Sequence, residues 1–365
     1  MKFSSTVNVT QLDDFDELID VRSPSEFALD HLPDAINLPV LDDAQREQVG
    51  TLYKQTSSFE AKKIGAALVA RNIAAHLETT LQDRPKNWQP LVYCWRGGNR
   101  SASLAHVLRQ IGWNAQVLEG GYKAYRRHVI AELERLPATV QLRVVCGPTG
   151  SGKSRLLQQI AQLGGQVLDL EELAAHRGSV LGNLPNQPQP SQKHFESSIW
   201  QTLRRCASDQ PVFVEAESKK IGQLRVPDAL ISRMWSSPCL KIEVPRAARV
   251  DFLIREYAHF LDDFDDLEAK IRCLHSLHGS EKIDAWLGLA SAQQWAAMVE
   301  QLLVDHYDPA YHRSTVSHYP TLERAPTFRA DRLDELSLRE LAQDLLRGVT
   351  PNQSSDLVPA YILRR

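Results

Sequence analysis

Short apolar runs alternate with helical patterns along the first third of the chain. The pattern predicts strands at 18–21, 91–94 and 116–118, and apolar residues recur at the spacing of one helix face over 104–111. The sequence Ser-Pro-Ser-Glu at 23–26 has the form of a capping box with proline at the first helical position, which marks a helix start. Strands that alternate with helices indicate a parallel α/β sheet.

The alternation resumes after residue 137 and gives way to helices beyond residue 245. Further strands are predicted at 142–146, 167–169, 212–215 and 240–244. The apolar residues after them follow helical spacing, and such stripes far more often form core than a binding surface.

These patterns predict the α/β fold class and three parts of the chain. A parallel-sheet domain is expected at 1–136, a second α/β domain at 137–245, and a mainly helical C-terminal part, packed on the second domain, at 246–365. The length of 365 residues agrees with two or three domains.

The composition narrows the class of protein. With 43% hydrophobic and 24% charged residues, the chain can bury cores, which excludes wholesale disorder. A formal net charge of -3 excludes a globally basic nucleic-acid coat, though not a local basic groove. The N-terminus lacks the apolar core of a signal peptide, and no run approaches the roughly 20 apolar residues that span a bilayer. We therefore expect a cytoplasmic protein with no membrane partner.

The strongest motif is Gly-Pro-Thr-Gly-Ser-Gly-Lys-Ser at 147–154, between a predicted strand and a predicted helix. Glycines let backbone N–H groups turn toward an anionic phosphate, and the helix N-terminus adds favourable dipole charge. Lys153 would reach the terminal phosphate, and Ser154 could ligate an optional magnesium ion. A diphosphate and a triphosphate suit this cradle equally well. The phosphate-binding candidates are Gly147, Pro148, Thr149, Gly150, Ser151, Gly152, Lys153 and Ser154.

Two carboxylates end predicted strands of the same domain. Asp169 and Glu215 occupy the position of a magnesium-orienting acid, although acids at strand ends are often only solvated. The five cysteines contain no CxxC pair, so no disulfide framework or ribbon-type zinc site is expected, and no metal ligands are assigned.

A second candidate loop follows the predicted strand at 91–94. Cys94 would lie at the carboxyl end of a parallel strand, where open sheets bind ligands. Backbone N–H groups, Arg100 and the helix dipole would lower the pKa of its thiol and hold an anionic adduct. The alternative is a buried cysteine that only packs, which is the interpretation we favour for the other four cysteines, Cys273 among them. The loop candidates are Cys94, Trp95, Arg96, Gly97, Gly98, Asn99 and Arg100.

These residues resemble the rhodanese family. The likeness lies in the segments 20–27, 31–39, 94–101 and 118–122, and it spans roughly residues 8 to 130. In that family the loop cysteine carries sulfur or selenium. Five residues separate Cys94 from its loop arginine, where common single-domain rhodaneses have four, and this Cx5R spacing is also found in cysteine-dependent phosphatases. Those phosphatases usually have histidine before the cysteine, whereas this chain has tyrosine, which favours chalcogen transfer.

A rhodanese-like unit joined to a P-loop unit resembles the bacterial tRNA 2-selenouridine synthase family, and the likeness covers nearly the whole chain. The matching stretches beyond the two loops are 169–171, 176–179, 192–196, 215–218 and 307–309. The resemblance implies a rhodanese-like parallel-sheet domain followed by a P-loop NTPase-like α/β domain.

The same resemblance implies an activity. The enzyme would convert wobble 2-thiouridine in tRNA to 2-selenouridine through an S-geranyl intermediate, using geranyl diphosphate and selenophosphate as substrates and no permanent cofactor. Its partners would be the tRNA anticodon loop and a supplier of selenophosphate. Basic residues near the two loops, including Arg96, Lys219, Lys220 and the arginines of 246–255, are candidates for the tRNA surface.

Two other classes of function remain open from the sequence. One is an ATP-dependent kinase or nucleotidase with a sulfurtransferase or Cx5R phosphatase-like domain. The other is a non-catalytic scaffold, which the presence of Cys94 disfavours because rhodanese-like domains that only recognise a partner have often lost this cysteine.

Overall fold

The computed structural model describes residues 6–179, 181–185 and 187–349. The predictions for residues 1–5 and 350–365, at the two ends of the chain, lie outside the described residues. Within the described part, no helix is long and apolar enough to cross a membrane.

Twelve β-strands are described. Their bounds are β1 Thr6–Val7, β2 Glu17–Asp20, β3 Ile36–Asn37, β4 Pro90–Tyr93, β5 Gln116–Leu118, β6 Gln141–Cys146, β7 Gln166–Leu168, β8 Pro211–Glu215, β9 Lys220–Ile221, β10 Leu224–Arg225, β11 Cys239–Glu243 and β12 Thr327–Arg329.

The described α-helices number sixteen. Their bounds are α1 Pro24–Leu29, α2 Asp43–Gln55, α3 Ser58–Glu78, α4 Asn99–Ile111, α5 Gly121–Arg135, α6 Lys153–Gln162, α7 Leu170–Leu173, α8 Gln192–Arg205, α9 Asp228–Trp235, α10 Arg246–Glu256, α11 His259–Asp262, α12 Phe264–Arg272, α13 His275–Ser291, α14 Trp295–Leu302, α15 Asp308–His318 and α16 Glu335–Val349.

The first sheet is parallel throughout, with strand order β1-β5-β4-β2-β3. Its three central strands lie within one residue of the predicted bounds. The two edge strands were not predicted, because two residues give no readable alternation. Helix α1 begins as predicted: Ser23 is its N-cap, Pro24 is the first helical residue, and Glu26 completes the capping box.

The second sheet is also parallel, with strand order β12-β11-β6-β8-β7. Two parallel sheets with connecting helices confirm the predicted α/β fold class. Strand β12 adds to this sheet from far along the chain, and helix α16 packs against α6. The sheet therefore extends past the boundary expected at residue 245, and the C-terminal part is not helical alone. Three residues with exposed ends are too short a pattern to reveal such an edge strand.

Helix α5 lies between the two sheets. It follows β5 of the first sheet and packs against α8 and α9 of the second. Buried residues of this helix, such as Tyr125 and Val129, share one apolar cluster with Leu91 of β4 and Val144 of β6. The two sheets are therefore joined by a continuous core as well as by the chain.

Candidate functional site

The Cys94 loop is a tight turn between β4 and α4. Strand β4 is wholly buried, Cys94 follows it at 4% exposure, and Gly98 is the N-cap of α4. Gly97 has φ +65°, and a Cβ there would lie 2.5 Å from the Leu118 carbonyl oxygen. A Cβ on Gly121, at φ +56°, would lie 2.2 Å from the Cys94 carbonyl oxygen. Glycine is therefore required on both sides of this close backbone approach.

The Cys94 sulfur lies among hydrogen-bond donors. The Ser101 hydroxyl donates to Sγ at 3.3 Å. Burial raises the pKa of the Cys94 thiol, but the hydrogen bonds from the Ser101 hydroxyl and from the backbone N–H groups of Ser101, Arg96 and Gly98 outweigh it, and the net pKa is lowered. Hydrogen bonds to the charged form favour a thiolate, which is the nucleophilic state of cysteine.

The side chains of the other loop residues point to different partners. Arg100 donates from Nη1 to Glu26 Oε2 at 2.7 Å, so its guanidinium ties α4 to the start of α1. Its expected contact with an anionic adduct on Cys94 stays a prediction. Trp95 is 38% exposed, and its ring centroid lies 5.3 Å from that of Tyr122. Arg96 is exposed, and Asn99 is the first residue of α4.

A buried ion pair that was not predicted packs against Tyr122, whose N–H donates to the Cys94 carbonyl at 2.8 Å. Arg22 is 1% exposed, and its Nη2 lies 2.6 Å from Oδ2 of the fully buried Asp20. Its guanidinium carbon lies 3.9 Å from the centroid of the Tyr122 ring, and its Nη2 also donates to the Asp30 carbonyl. Both residues lie in the segment 20–27, where the sequence showed a resemblance but no reason for a buried charge.

The loop at 147–154 connects β6 to α6, as predicted. Gly150 and Gly152 have φ +79° and +74°, and a Cβ on Gly150 would lie 2.8 Å from the Leu253 side chain. Lys153 donates from Nζ to the Gly147 carbonyl at 2.9 Å, so its ammonium lies over the loop. The loop therefore has the positive-φ glycines and the inward lysine that a phosphate cradle needs.

Arg249 fixes this loop against the C-terminal helices. It is 5% exposed, donates from Nε to the Thr149 carbonyl at 2.9 Å and forms an ion pair with Asp308 at 2.5 Å. The expectation that Arg249 lines a tRNA surface is therefore wrong, because its side chain is buried and its charge is paired with that of Asp308. Arg246 and Arg255 are exposed.

The two strand-end acids lie close to the phosphate loop. Ser154 donates from Oγ to Glu171 Oε2 at 2.6 Å, and the Glu171 N–H donates to Glu215 Oε1 at 2.8 Å. Glu215 is fully buried, and its Oε2 has no hydrogen-bond partner among the described residues. Burial, together with the charges of Asp169 and its other acidic neighbours, raises the pKa of Glu215 well above its usual value.

Asp169 and Glu217 complete a group of four carboxylates. Asp169 accepts the Glu172 N–H at 2.8 Å as the N-cap of α7, and burial raises its pKa to about 7. Burial raises the pKa of Glu217 to about 8, with a further contribution from Glu171. Glu171 and Glu217 were not candidates from the sequence. Each lies two residues after a strand-end acid, outside the predicted strand, and only the folded chain brings their carboxyls together. Among the described residues, no group of three or more His, Cys, Asp or Glu side chains has the geometry to hold a metal ion.

A pocket of about 510 Å³ opens over the phosphate loop. Lys153 and Ser154 line it on one side, Glu171 and Glu217 on another, and helix α15 closes it with Tyr311. A cationic loop, acids and tyrosines therefore face one solvent-accessible space.

The other cysteines differ in their surroundings. Cys146 and Cys239 are buried, as expected for packing residues, and Cys206 is half-buried. Cys273 is exposed, so the expectation of core packing is wrong for it. It lies just after α12, where helical spacing alone could not show which face is covered.

Two family models match the chain. The rhodanese-like domain model matches residues 7–128, and the model of the tRNA 2-selenouridine synthase AAA domain matches residues 140–289. Together with the loops described above, these matches define a rhodanese-like domain followed by a P-loop-like α/β domain.

Similar proteins named tRNA 2-selenouridine synthase occur in several bacteria. The protein of Alcanivorax borkumensis is 34% identical over 326 residues, which cover 80% of this chain and 88% of that protein. The chain belongs to the tRNA 2-selenouridine synthase family. The protein of Nitrosomonas europaea is 38% identical over 244 residues, which cover 66% of this chain and 63% of that protein. The protein of Nitrosomonas eutropha is 36% identical over 251 residues, which cover 66% of this chain and 62% of that protein. The matched part of the chain thus spans less than two thirds of these two relatives.

Proposed function

We propose that the protein is a tRNA-modifying transferase that converts wobble 2-thiouridine to 2-selenouridine through an S-geranyl intermediate. Geranyl diphosphate and selenophosphate are its substrates, a selenophosphate-producing enzyme and tRNA are its partners, and the cytoplasm is its compartment. One observation supports the proposal most directly: this member of the family has both a cysteine with a lowered pKa, Cys94, and a phosphate loop whose lysine lies over the loop.

The first step, the transfer of the geranyl group to tRNA, takes place at the phosphate loop. The sulfur of 2-thiouridine forms a bond to C1 of the geranyl group, the bond from C1 to the diphosphate oxygen breaks, and the base releases its N3 proton to solvent. The departing diphosphate gains charge, which Lys153 and the N–H groups at the start of α6 can neutralise. For this, Lys153 exchanges the Gly147 carbonyl, its present acceptor, for a phosphate oxygen.

Magnesium fits this step as an optional ion. It usually takes one or two protein oxygens together with substrate phosphates and waters. Ser154 Oγ and a Glu171 carboxylate oxygen, which lie 2.6 Å apart, are the residues that would hold it, and it would add positive charge beside the diphosphate.

The second step, the replacement of the geranylated sulfur by selenium, takes place at the rhodanese-like domain. The selenium of selenophosphate is fully reduced, so it cannot form an S–Se bond to Cys94 without an oxidant. The Cys94 thiolate instead attacks the phosphorus of selenophosphate: an S–P bond forms, the P–Se bond breaks, and hydrogen selenide leaves. The selenide attacks C2 of the geranylated base, the bond from C2 to sulfur breaks, and geranyl thiolate leaves and takes a proton from solvent, while water hydrolyses the S–P bond and returns Cys94 with release of phosphate. Alkylation turns a poor sulfur leaving group into a geranyl thiol, so the two steps are chemically linked. The N–H groups of the loop and the Ser101 hydroxyl can hold the negative charge of the phosphoryl group carried on Cys94. The exposed ring of Trp95 is suited to stack on the base once it leaves its own stack.

Nucleoside analysis tests the proposal. Purified full-length protein is incubated with 2-thiouridine-containing tRNA, geranyl diphosphate and selenophosphate, and the digested tRNA is analysed by mass spectrometry. We expect S-geranyl-2-thiouridine when selenophosphate is omitted and 2-selenouridine when both substrates are present. Turnover of ATP with magnesium, without either modified nucleoside, would instead support a kinase or nucleotidase.

A further inference from the structure

A small apolar cavity lies beside the phosphate pocket. It has a volume of about 60 Å³, and its lining is almost wholly hydrocarbon, contributed mainly by Leu181, Phe260, Trp295, Met298 and Leu302. Neither the phosphate loop chemistry nor the Cys94 chemistry described above uses this cavity.

The cavity and the phosphate pocket share a wall. Thr149 of the phosphate loop, Leu253 of α10, and the tyrosines at 257 and 307 line both spaces. The apolar cavity therefore adjoins the place where an anionic head group would lie on the loop, and it is separated from that place by these side chains and not by the protein core.

The chemistry of the lining selects the occupant. The edge of a nucleotide base carries polar atoms that would lose their water and find no partner among Phe260, Met298 and Leu302, which is costly. A hydrocarbon chain has no such cost and gains from leaving water. The combination of a phosphate cradle and an adjoining apolar end therefore fits an alkyl or prenyl diphosphate.

We propose that this cavity seats the distal isoprene unit of a prenyl diphosphate, and that Met298 and Leu302 at its floor set the length of chain the protein accepts. The proposal deepens the proposed function and rests on it for the identity of the head group. Met298 and Leu302 are 5% and 3% exposed and pack into the helical core behind them, whereas Trp295 is only half-buried. A volume of about 60 Å³ holds the end of a chain, so the rest of it lies in the larger pocket.

Two opposite substitutions at one position test this proposal in the full-length protein. Met298→Trp fills the cavity and Met298→Ala enlarges it. The affinities of both variants are measured for inorganic pyrophosphate, dimethylallyl diphosphate, geranyl diphosphate and farnesyl diphosphate. Gln301→Trp, which adds the same bulk on the exposed face of α14, is the matched control.

We expect Met298→Trp to weaken geranyl diphosphate binding by at least about tenfold, because several buried methylene groups lose their site. Its binding of pyrophosphate should stay at the wild-type level, which also shows that the variant is folded. Met298→Ala should shift the preference from the geranyl toward the farnesyl chain, and Gln301→Trp should change neither.

Other results separate the two proposals. Wild-type protein that binds geranyl diphosphate no better than pyrophosphate, or two Met298 variants with unchanged chain preference, would overturn the assignment of the cavity. If the chain preference moves as expected but no variant or wild type geranylates tRNA, the cavity assignment stands and the proposed function fails.

Discussion

The hydroxyl of Ser101 lies 3.3 Å from the sulfur of Cys94 and donates a hydrogen bond to it. Ser101 is fully buried in the first turn of α4, so the helix fixes its position, and the same hydroxyl also lies 3.1 Å from the Gly98 carbonyl, which competes for its proton. A fixed donor costs little to align and stabilises the thiolate more than the thiol. The relationship makes Ser101 the side chain most directly responsible for the lowered pKa of Cys94.

Replacing Ser101 by alanine should raise the pKa of the Cys94 thiol, because the largest favourable contribution to the thiolate is lost. The pH profile of alkylation by iodoacetamide should move to higher pH, with a rate near neutral pH about tenfold lower. The measurement is made in a Cys273→Ala background, since Cys273 is exposed and would also react.

Ser103→Ala is the matched control for this substitution. Ser103 lies on the same helix, and its hydroxyl donates to the Asn99 carbonyl instead of to sulfur. Its alkylation profile should coincide with that of the parent. Equal profiles for the Ser101 and Ser103 variants would mean that backbone N–H groups alone set the pKa of Cys94.

Replacing Cys94 by alanine should abolish selenium incorporation into tRNA and leave the fold intact. Loss of a nucleophile commonly lowers the rate by orders of magnitude, and the change removes one small side chain from a loop whose backbone is held by its glycines. The nucleoside assay measures 2-selenouridine, and circular dichroism follows folding. Cys273→Ala is the control and should keep full activity; selenium incorporation by the Cys94 variant near the wild-type rate would remove Cys94 from the mechanism.

The sequence predicted those parts of the fold that depend on local pattern. The central strands, the start of α1 and the two loops follow from apolar runs, a capping box and glycine spacing. Strand β12 could not be predicted, because its partner β11 is about 85 residues earlier in the chain and three residues carry no periodicity.

Site residues could be predicted from the sequence only where the residue type and its loop motif by themselves indicate the chemistry. Cys94 and Lys153 stand in recognisable loops, but the pairing of Arg100 with Glu26 and of Arg249 with Asp308 joins residues far apart in sequence. The sequence does not show these acidic partners, which pair with charges that are expensive to bury alone. For Arg249 the ion pair excludes the expected exposed surface, whereas for Arg100 the anion-binding role stays a prediction.

Replacing Lys153 by alanine should reduce geranylation of tRNA on the order of a hundredfold, because the departing diphosphate loses a positioned cation. Phosphate release from selenophosphate, which reports the reaction of Cys94, should stay unchanged, since that loop lies at the other sheet. S-geranyl-2-thiouridine is measured in the tRNA, and the phosphate released from selenophosphate is measured separately. Lys62→Ala, an exposed lysine on α3, is the control; normal geranylation in the Lys153 variant would assign another ligand to the loop at 147–154.

The last prediction concerns Asp169, a residue that is 7% exposed and whose carboxyl pKa is raised by burial to about 7. In the unfolded chain its pKa returns to about 3.9. Between these values the folded state holds a proton that the unfolded state has released, so the contribution of Asp169 to stability is lost as pH rises from about 4 to about 7 and stays lost above that. Asp169→Asn keeps an oxygen to accept the Glu172 N–H and removes the titration.

The variant and the wild-type protein should therefore have similar unfolding free energies at pH 4 and diverge as pH rises. The Asn variant should be the more stable above pH 7, by at most about 4 kcal/mol, because each unit of pKa shift corresponds to about 1.4 kcal/mol. Urea unfolding at a series of pH values measures the difference directly. Asp209→Asn, at an exposed carboxylate, should show no such trend. An Asp169 variant whose advantage shrinks with rising pH would mean that the carboxylate is stabilised in the folded protein, as a cation beside Ser154 and Glu171 would do.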